Sequence, residues 1–136
     1  NLREVIDAIS KNYRYVVIDN EAGMEHLSRR TTRDVQHLLI VTDPSQRGLV
    51  AAERIAGFRD ELDIRIENAY LILNRVMGEV PAAVMERINR MDIPLAAVIP
   101  ASSELAQLDF EGKPLIDLDE NSQVYQAIAK LVDQMM

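Results

Sequence analysis

His37-Leu38-Leu39-Ile40-Val41-Thr42-Asp43-Pro44 decides the fold. Leu38 to Val41 are four aliphatic side chains in a row, so both faces of the stretch need cover. A short, fully apolar run of this kind reads as a buried strand rather than a half-exposed one. Thr42-Asp43-Pro44 ends it. Asp43 supplies an oxygen suited to a helix N-cap, and Pro44 fits the first helical position, so a helix is expected to begin there. Leu49, Ala52, Ile55, Phe58 and Leu62 then recur at helical spacing and form its apolar stripe.

The same strand–turn–helix unit recurs on either side. Ala69–Leu73 is a strand ended by Asn74-Arg75-Val76, and Pro81 opens a helix with Val84, Ile88 and Met91 inward. Leu95–Ile99 is a strand stopped by Pro100. Ser102 or Ser103 caps a short helix to about Leu108, and an acidic loop follows around Gly112-Lys113-Pro114. Asn121 or Ser122 caps a last helix with Val124, Ile128, Leu131 and Met135 aligned. Toward the start, Leu2, Val5, Ile6 and Ile9 mark a helix over residues 2–11, and Tyr15–Ile18 reads as a further strand. Residues 24–34 read as a polar, basic loop with a short helix. Strands alternating with helices predict a single domain of the α/β class: a Rossmann-like three-layer α/β/α sandwich with a mostly parallel sheet. Ligands of such sheets bind beyond the carboxyl ends of the strands. Here those ends are Asp19–Gly23, Thr42–Ser45, Asn74–Val76 and Pro100–Ser102.

Composition narrows the partners. The 136 residues are 48% hydrophobic and 27% charged, enough to build a core. Twenty-two acids against fifteen bases leave a net charge of −7, and residues 101–136 hold seven acids and two bases. This balance disfavours sequence-independent binding to nucleic acid or to an anionic membrane surface. No apolar run reaches the roughly 20 residues that a membrane helix needs. The absence of cysteine excludes disulfides, thiolate catalysis and Cys-ligated metal within the chain. No secretory leader is visible, and a cytoplasmic setting is expected.

Each candidate residue admits two readings. Asp19 ends an apolar run and can reach Mg²⁺ through water, and Gly23 lets a backbone amide approach a terminal phosphate. The same pair can simply cap and shape a turn. Asn74 carries a donor and an acceptor that match a base edge, or it is a turn residue. Pro100-Ala101 can line the same base pocket with backbone groups, or merely stop the strand. His26 and His37 lack partners at metal-ligand spacing. Arg29, Arg30 and Arg33 suit a phosphate or carboxylate, or a solvated face. The pattern G-x-x-x-x-G-K-[ST] does not occur: Pro114 follows Gly112-Lys113 where a hydroxyl residue is required.

Val16-Val17-Ile18-Asp19-Asn20-Glu21-Ala22-Gly23-Met24-Glu25-His26-Leu27-Ser28-Arg29-Arg30 resembles the second switch of MinD/ParA-type P-loop ATPases. The Asn-Glu-Ala-Gly followed by Glu-His-Leu and Arg is similar to the CooC-type members, which assist nickel insertion into carbon monoxide dehydrogenase. The likeness continues in family order through Leu39–Pro44, Leu71–Val76, Ala97–Pro100 and Gly112–Leu115. It implies binding of ATP/ADP and Mg²⁺, a homodimer and a metalloenzyme client such as carbon monoxide dehydrogenase. By the same resemblance Asp19 senses Mg²⁺ through its waters, and Gly23 meets the γ-phosphate. Asn74 reads adenine beside Arg75, Pro100 and Ala101 line adenine and ribose, and Glu25, His26 and Arg29 lie near the dimer face.

The P-loop, the first switch and the Cys-x-Cys pair of the CooC-type proteins have no counterpart here. The chain is therefore expected to be the C-terminal part of a longer ATPase and to be inactive without the rest. In the family's sheet the P-loop strand runs between the switch-II strand and the next. Tyr15–Ile18 and His37–Val41 would then stand two strand spacings apart, roughly 9–10 Å, and could not pair. The competing reading is a P-loop-less, doubly wound module that acts in dimerisation or in binding a protein partner.

Overall fold

In a computed structural model, which describes residues 2–20, 34–61 and 64–136, the central repeat forms a three-stranded parallel sheet of order β1-β2-β3. The elements are α1 (Leu2–Ser10), β1 (Asp34–Thr42), α2 (Gln46–Phe58), β2 (Arg65–Val76), α3 (Ala82–Asn89), β3 (Leu95–Pro100), α4 (Ser103–Phe110) and α5 (Gln123–Met135), with single 3-10 turns at Arg59–Glu61 and Leu115–Asp117. β1 pairs with β2 from Asp34 opposite Arg65 to Thr42 opposite Leu73, and the Arg65 guanidinium meets the Asp34 carboxylate at 2.9 Å where the ladder begins.

β2 is the middle strand, and its sequence explains why. Leu71, Ile72 and Leu73 are at most 2% exposed, so both of its faces are covered. One face joins Leu71, Leu73 and Val76 with Ile40 of β1, with Leu49, Ala52 and Ala56 of α2 and with Ile88 of α3; Met91 and Ile93 complete this cluster. The other face joins Ile72 with Ile99 of β3, with Leu118 and with Val124 and Leu131 of α5. Each fully buried aliphatic side chain contributes about 1.5–3 kcal/mol. The two helices of the first face are also tied across their outer surface. Arg87 grips Glu53 through two N–H groups, at 2.5 and 2.7 Å, and donates a third to the Gln46 side chain at 2.8 Å. The guanidinium holds the Glu53 carboxyl below the usual carboxylate range.

The segment Tyr15–Ile18, read above as a strand, is not one. Its backbone lies outside the sheet, and its side chains are 53%, 49%, 94% and 36% exposed. The physical reason is the lack of a neighbour. β2 already has a partner on each side, and an apolar run becomes a strand only beside one. β1 is an edge strand and, among the described residues, has a neighbour on one side only. Leu39 and Val41, on the face opposite Ile40, are 38% and 59% exposed, as expected at a sheet margin.

Two local expectations also shift. The first crossover helix starts later than Asp43-Pro44 implies: Ser45 is the N-cap, and its hydroxyl accepts from the Gly48 N–H at 3.1 Å. The acidic loop beyond α4 is more ordered than its charge suggests. Gly112 sits at φ +65°, where a Cβ is strained, and takes the left-handed position that closes a helix. Its N–H donates to Asp109 O at 3.1 Å, and the Lys113 N–H donates to Leu108 O at 2.9 Å, which is the Schellman pattern. Ser102 and Ser122 cap α4 and α5 as anticipated, each accepting from an N–H three residues on.

Candidate functional site

The carboxyl ends of β1, β2 and β3 lie side by side along one edge of the sheet. Register brings Val76 opposite Pro100, and the Ala101 N–H donates to Val76 O at 2.8 Å, one step past the last strand residue. Asn74-Arg75 and Pro100-Ala101, 25 residues apart in the chain, thus border one another.

Asn74 is half-buried and Arg75 exposed. Arg75 adopts φ +57°, the left-handed region that costs a residue with a Cβ about 1–2 kcal/mol. Asn74 offsets part of that cost, because its Oδ1 accepts the Arg75 N–H at 2.9 Å. A carbonyl oxygen has two lone pairs, so Oδ1 keeps one acceptor site. The Nδ2 group of Asn74 makes no hydrogen bond among the described residues and retains both donors. The opposite wall offers no free backbone donor: Pro100 has no N–H, and the Ala101 N–H is spent on Val76.

Asp43 closes the β1 end. Its Oδ1 accepts the Ser45 N–H at 2.9 Å, an Asx-type turn, while the buried Thr42 hydroxyl donates to Asp43 O at 3.1 Å. The Ser45 hydroxyl and N–H hold the Asp43 carboxyl below the usual range, and the Arg75 guanidinium adds a smaller pull. The turn is tight: a Cβ on Gly48 would stand 2.6 Å from both Thr42 Oγ1 and Asp43 Oδ1. Sequence reasoning marked Thr42–Ser45 as a strand end but missed the attraction between Asp43 and Arg75, because it depends on the β1–β2 register.

The remaining expected residues are not gathered here. Asp19 is exposed in the segment after α1, outside the sheet. Gly23, Glu25, His26 and Arg29 lie outside the described residues. No group of three or more His, Cys, Asp or Glu side chains able to hold a metal occurs among the described residues. His37 sits on β1, its ring 5.8 Å from that of Tyr70. No helix among the described residues is long and apolar enough to cross a membrane.

The strand ends thus bring an unspent amide at Asn74 and a cation at Arg75 to the edge where parallel sheets receive ligands. No protein-family model matches the chain. Individual relatives do. An ATP-binding protein of Methanocaldococcus jannaschii, MJ0685, is 37% identical over 135 residues, 99% of this chain and 53% of that protein. The carbon monoxide dehydrogenase accessory protein CooC of Rhodospirillum rubrum is 32% identical over 111 residues, 81% of this chain and 41% of its own length. Among solved structures, the septum site-determining protein MinD of Pyrococcus horikoshii, complexed with Mg-ADP, superposes with a TM-score of 0.72 at 26% identity. The superposition takes in 98% of this chain and 54% of that one. The chain spans about half the length of the proteins it matches. It is thus a homologue, along nearly its whole length, of the MinD/ParA-family ATPases, with CooC one relative among several.

Proposed function

We propose that this chain supplies the base-binding half of a MinD/ParA-type ATP-binding site. The observation that carries the reading is the juxtaposition of Asn74-Arg75 with Pro100-Ala101, closed by the Ala101 N–H to Val76 O hydrogen bond. Asn74 offers a donor and an acceptor to the adenine edge, and the carbonyls of Pro100 and Ala101 accept from its amino group. Arg75 adds positive charge where ribose and phosphates approach.

The rest of the site follows the family. Asp19 holds waters of the nucleotide's Mg²⁺, and the Gly23 amide meets the γ-phosphate. Bound Mg-ATP supplies the scissile phosphoanhydride, and its charge is neutralised mainly by a P-loop contributed from outside these residues. Glu25, His26 and Arg29 contribute to a homodimer face. The whole protein hydrolyses ATP in the cytoplasm and uses the dimer to act on a partner. A metallocentre client of the carbon monoxide dehydrogenase type is the finer version of this reading. It is supported by the CooC relative and by the run Asn20–Gly23 with Glu25-His26-Leu27.

The test is nucleotide binding by the gene product that carries this chain. ATP affinity is expected to fall about 10–100-fold in Asn74→Ala, the loss of a paired base contact worth about 1–3 kcal/mol. Inorganic triphosphate, which has no base, should bind Asn74→Ala and the parent alike. Asp19→Ala is expected to lose the Mg²⁺-dependent part of ATP binding, and Gly23→Val to block the γ-phosphate. Unchanged ATP affinity in Asn74→Ala would remove the base site from this sheet edge.

A further inference from the structure

We propose that Phe110, Leu115 and Ile116 form a docking surface for a basic, amphipathic segment of a protein partner. The site is separate from the nucleotide edge and does not rest on it. These side chains are 87%, 65% and 90% exposed and lie within seven residues of chain. They are also held in place. The Schellman turn at Gly112 folds the chain back over the end of α4, and the Asp119 N–H donates to Glu104 Oε1 at 3.2 Å. Leu108 and Leu118, which flank the turn, point into the core with α5. The fold therefore spends Leu108 and Leu118 on packing and turns Phe110, Leu115 and Ile116 outward.

The location matters. This segment follows β3, at the margin of the sheet opposite β1.

Charge selects the occupant. Between Glu104 and Glu120 six carboxylates (Glu104, Asp109, Glu111, Asp117, Asp119 and Glu120) face one base, Lys113. The Lys113 ammonium is itself paired with Glu111 Oε2 at 2.6 Å. The segment that carries these apolar side chains is thus strongly acidic, which disfavours nucleic acid, anionic lipid and a second copy of itself. A segment with Lys or Arg flanking Leu- or Phe-type anchors satisfies both the apolar side chains and the acidic charge, the usual anatomy of a peptide-binding surface.

The experiment uses the gene product that carries this chain and a fluorescein-labelled helical peptide built from Leu and Lys. Controls are its Leu/Glu counterpart and oligolysine. The Leu/Lys peptide is expected to bind, to weaken as salt rises and to lose about tenfold in affinity with Phe110→Ser/Ile116→Ser. Tyr125→Ser, on α5, should leave binding unchanged. Two substitutions at highly exposed positions preserve the fold, which far-UV circular dichroism checks. If the double variant is altered, Ile116→Ser is read instead. Equal affinity for the variant and the parent overturns the proposal, and so does equal binding of oligolysine. A concentration-dependent dimer that dissociates in the double variant would assign the patch to a second copy and also overturn it.

Discussion

Arg75 stands at φ +57° at the end of β2, and the choice of residue there should be readable as stability. Consider Arg75→Gly, Arg75→Asn and Arg75→Val. All three remove the guanidinium and its attraction to Asp43, so that term cancels among them. What remains is the backbone. The left-handed region costs a residue with a Cβ about 1–2 kcal/mol, and more when the side chain is β-branched. Glycine avoids this but loses about 0.5–1 kcal/mol through its freer unfolded chain. The Asn74 Oδ1 to Arg75 N–H bond at 2.9 Å is made by the backbone and is available to each variant. The balance places Gly above Val by about 1 kcal/mol, with Asn between them because Asn tolerates this region. In a domain of this size that is a gap of about 3–4 °C in Tm. Thermal unfolding followed by circular dichroism measures it. A Val variant as stable as the Gly variant would refute the reasoning, because it would mean that residue 75 is not held left-handed.

Leu73→Ala, at 0% exposure in the middle strand, should cost about 2–5 kcal/mol in urea unfolding, whereas Val17→Ala, at 94%, should change stability by no more than about 0.5 kcal/mol. Comparable losses would show that Val17 is packed. Asp43 is held below the usual carboxylate range in the folded chain, so its contribution is present above the unfolded pKa of about 3.9 and fades as pH falls through the lower folded value. Asp43→Asn should therefore lose less Tm between pH 6 and pH 3 than the parent, and an identical drop would count against the Ser45 contacts. Gly112→Ala, at φ +65°, should cost about 1 kcal/mol by denaturant titration, since the Schellman turn needs the left-handed residue.

The parts of the fold that local pattern controls were readable from the residues. Leu71–Leu73 is apolar on both faces because it runs between two helical layers, and Pro81 and Ser102 marked helix starts within a residue. Tyr15–Ile18 carries the same β-branched signal but not the same outcome, because a strand exists only with a partner and pairing is non-local. Asp43 misled for a smaller reason. Its side chain can serve a cap or an Asx turn, and Ser45 two residues on made the better cap. At the candidate site, Asn74, Arg75, Pro100 and Ala101 were found as strand ends. The spent Ala101 N–H, the left-handed Arg75 and the neighbouring Asp43 depend on register, which a strand's own residues do not encode. The outward turn of Phe110 and Ile116 was hidden in the same way. Composition marks residues 109–119 as a solvated loop, and only the Schellman closure reveals which apolar side chains it leaves outside.

The all-parallel ladder also has a timetable. Asp34 waits for Arg65, 31 residues later, and Leu71 for Leu95, 24 residues later. Parallel neighbours cannot be joined by a tight hairpin, so each pairing closes a loop that includes a whole helix. At a synthesis rate of about 5–20 residues per second, β1 emerges roughly 2–6 s before the first residue that can pair with it. During that interval Leu38–Val41 is a nascent strand with unpaired edges, and the order of synthesis itself makes it the point at which this chain depends most on a chaperone or on rapid docking of α2.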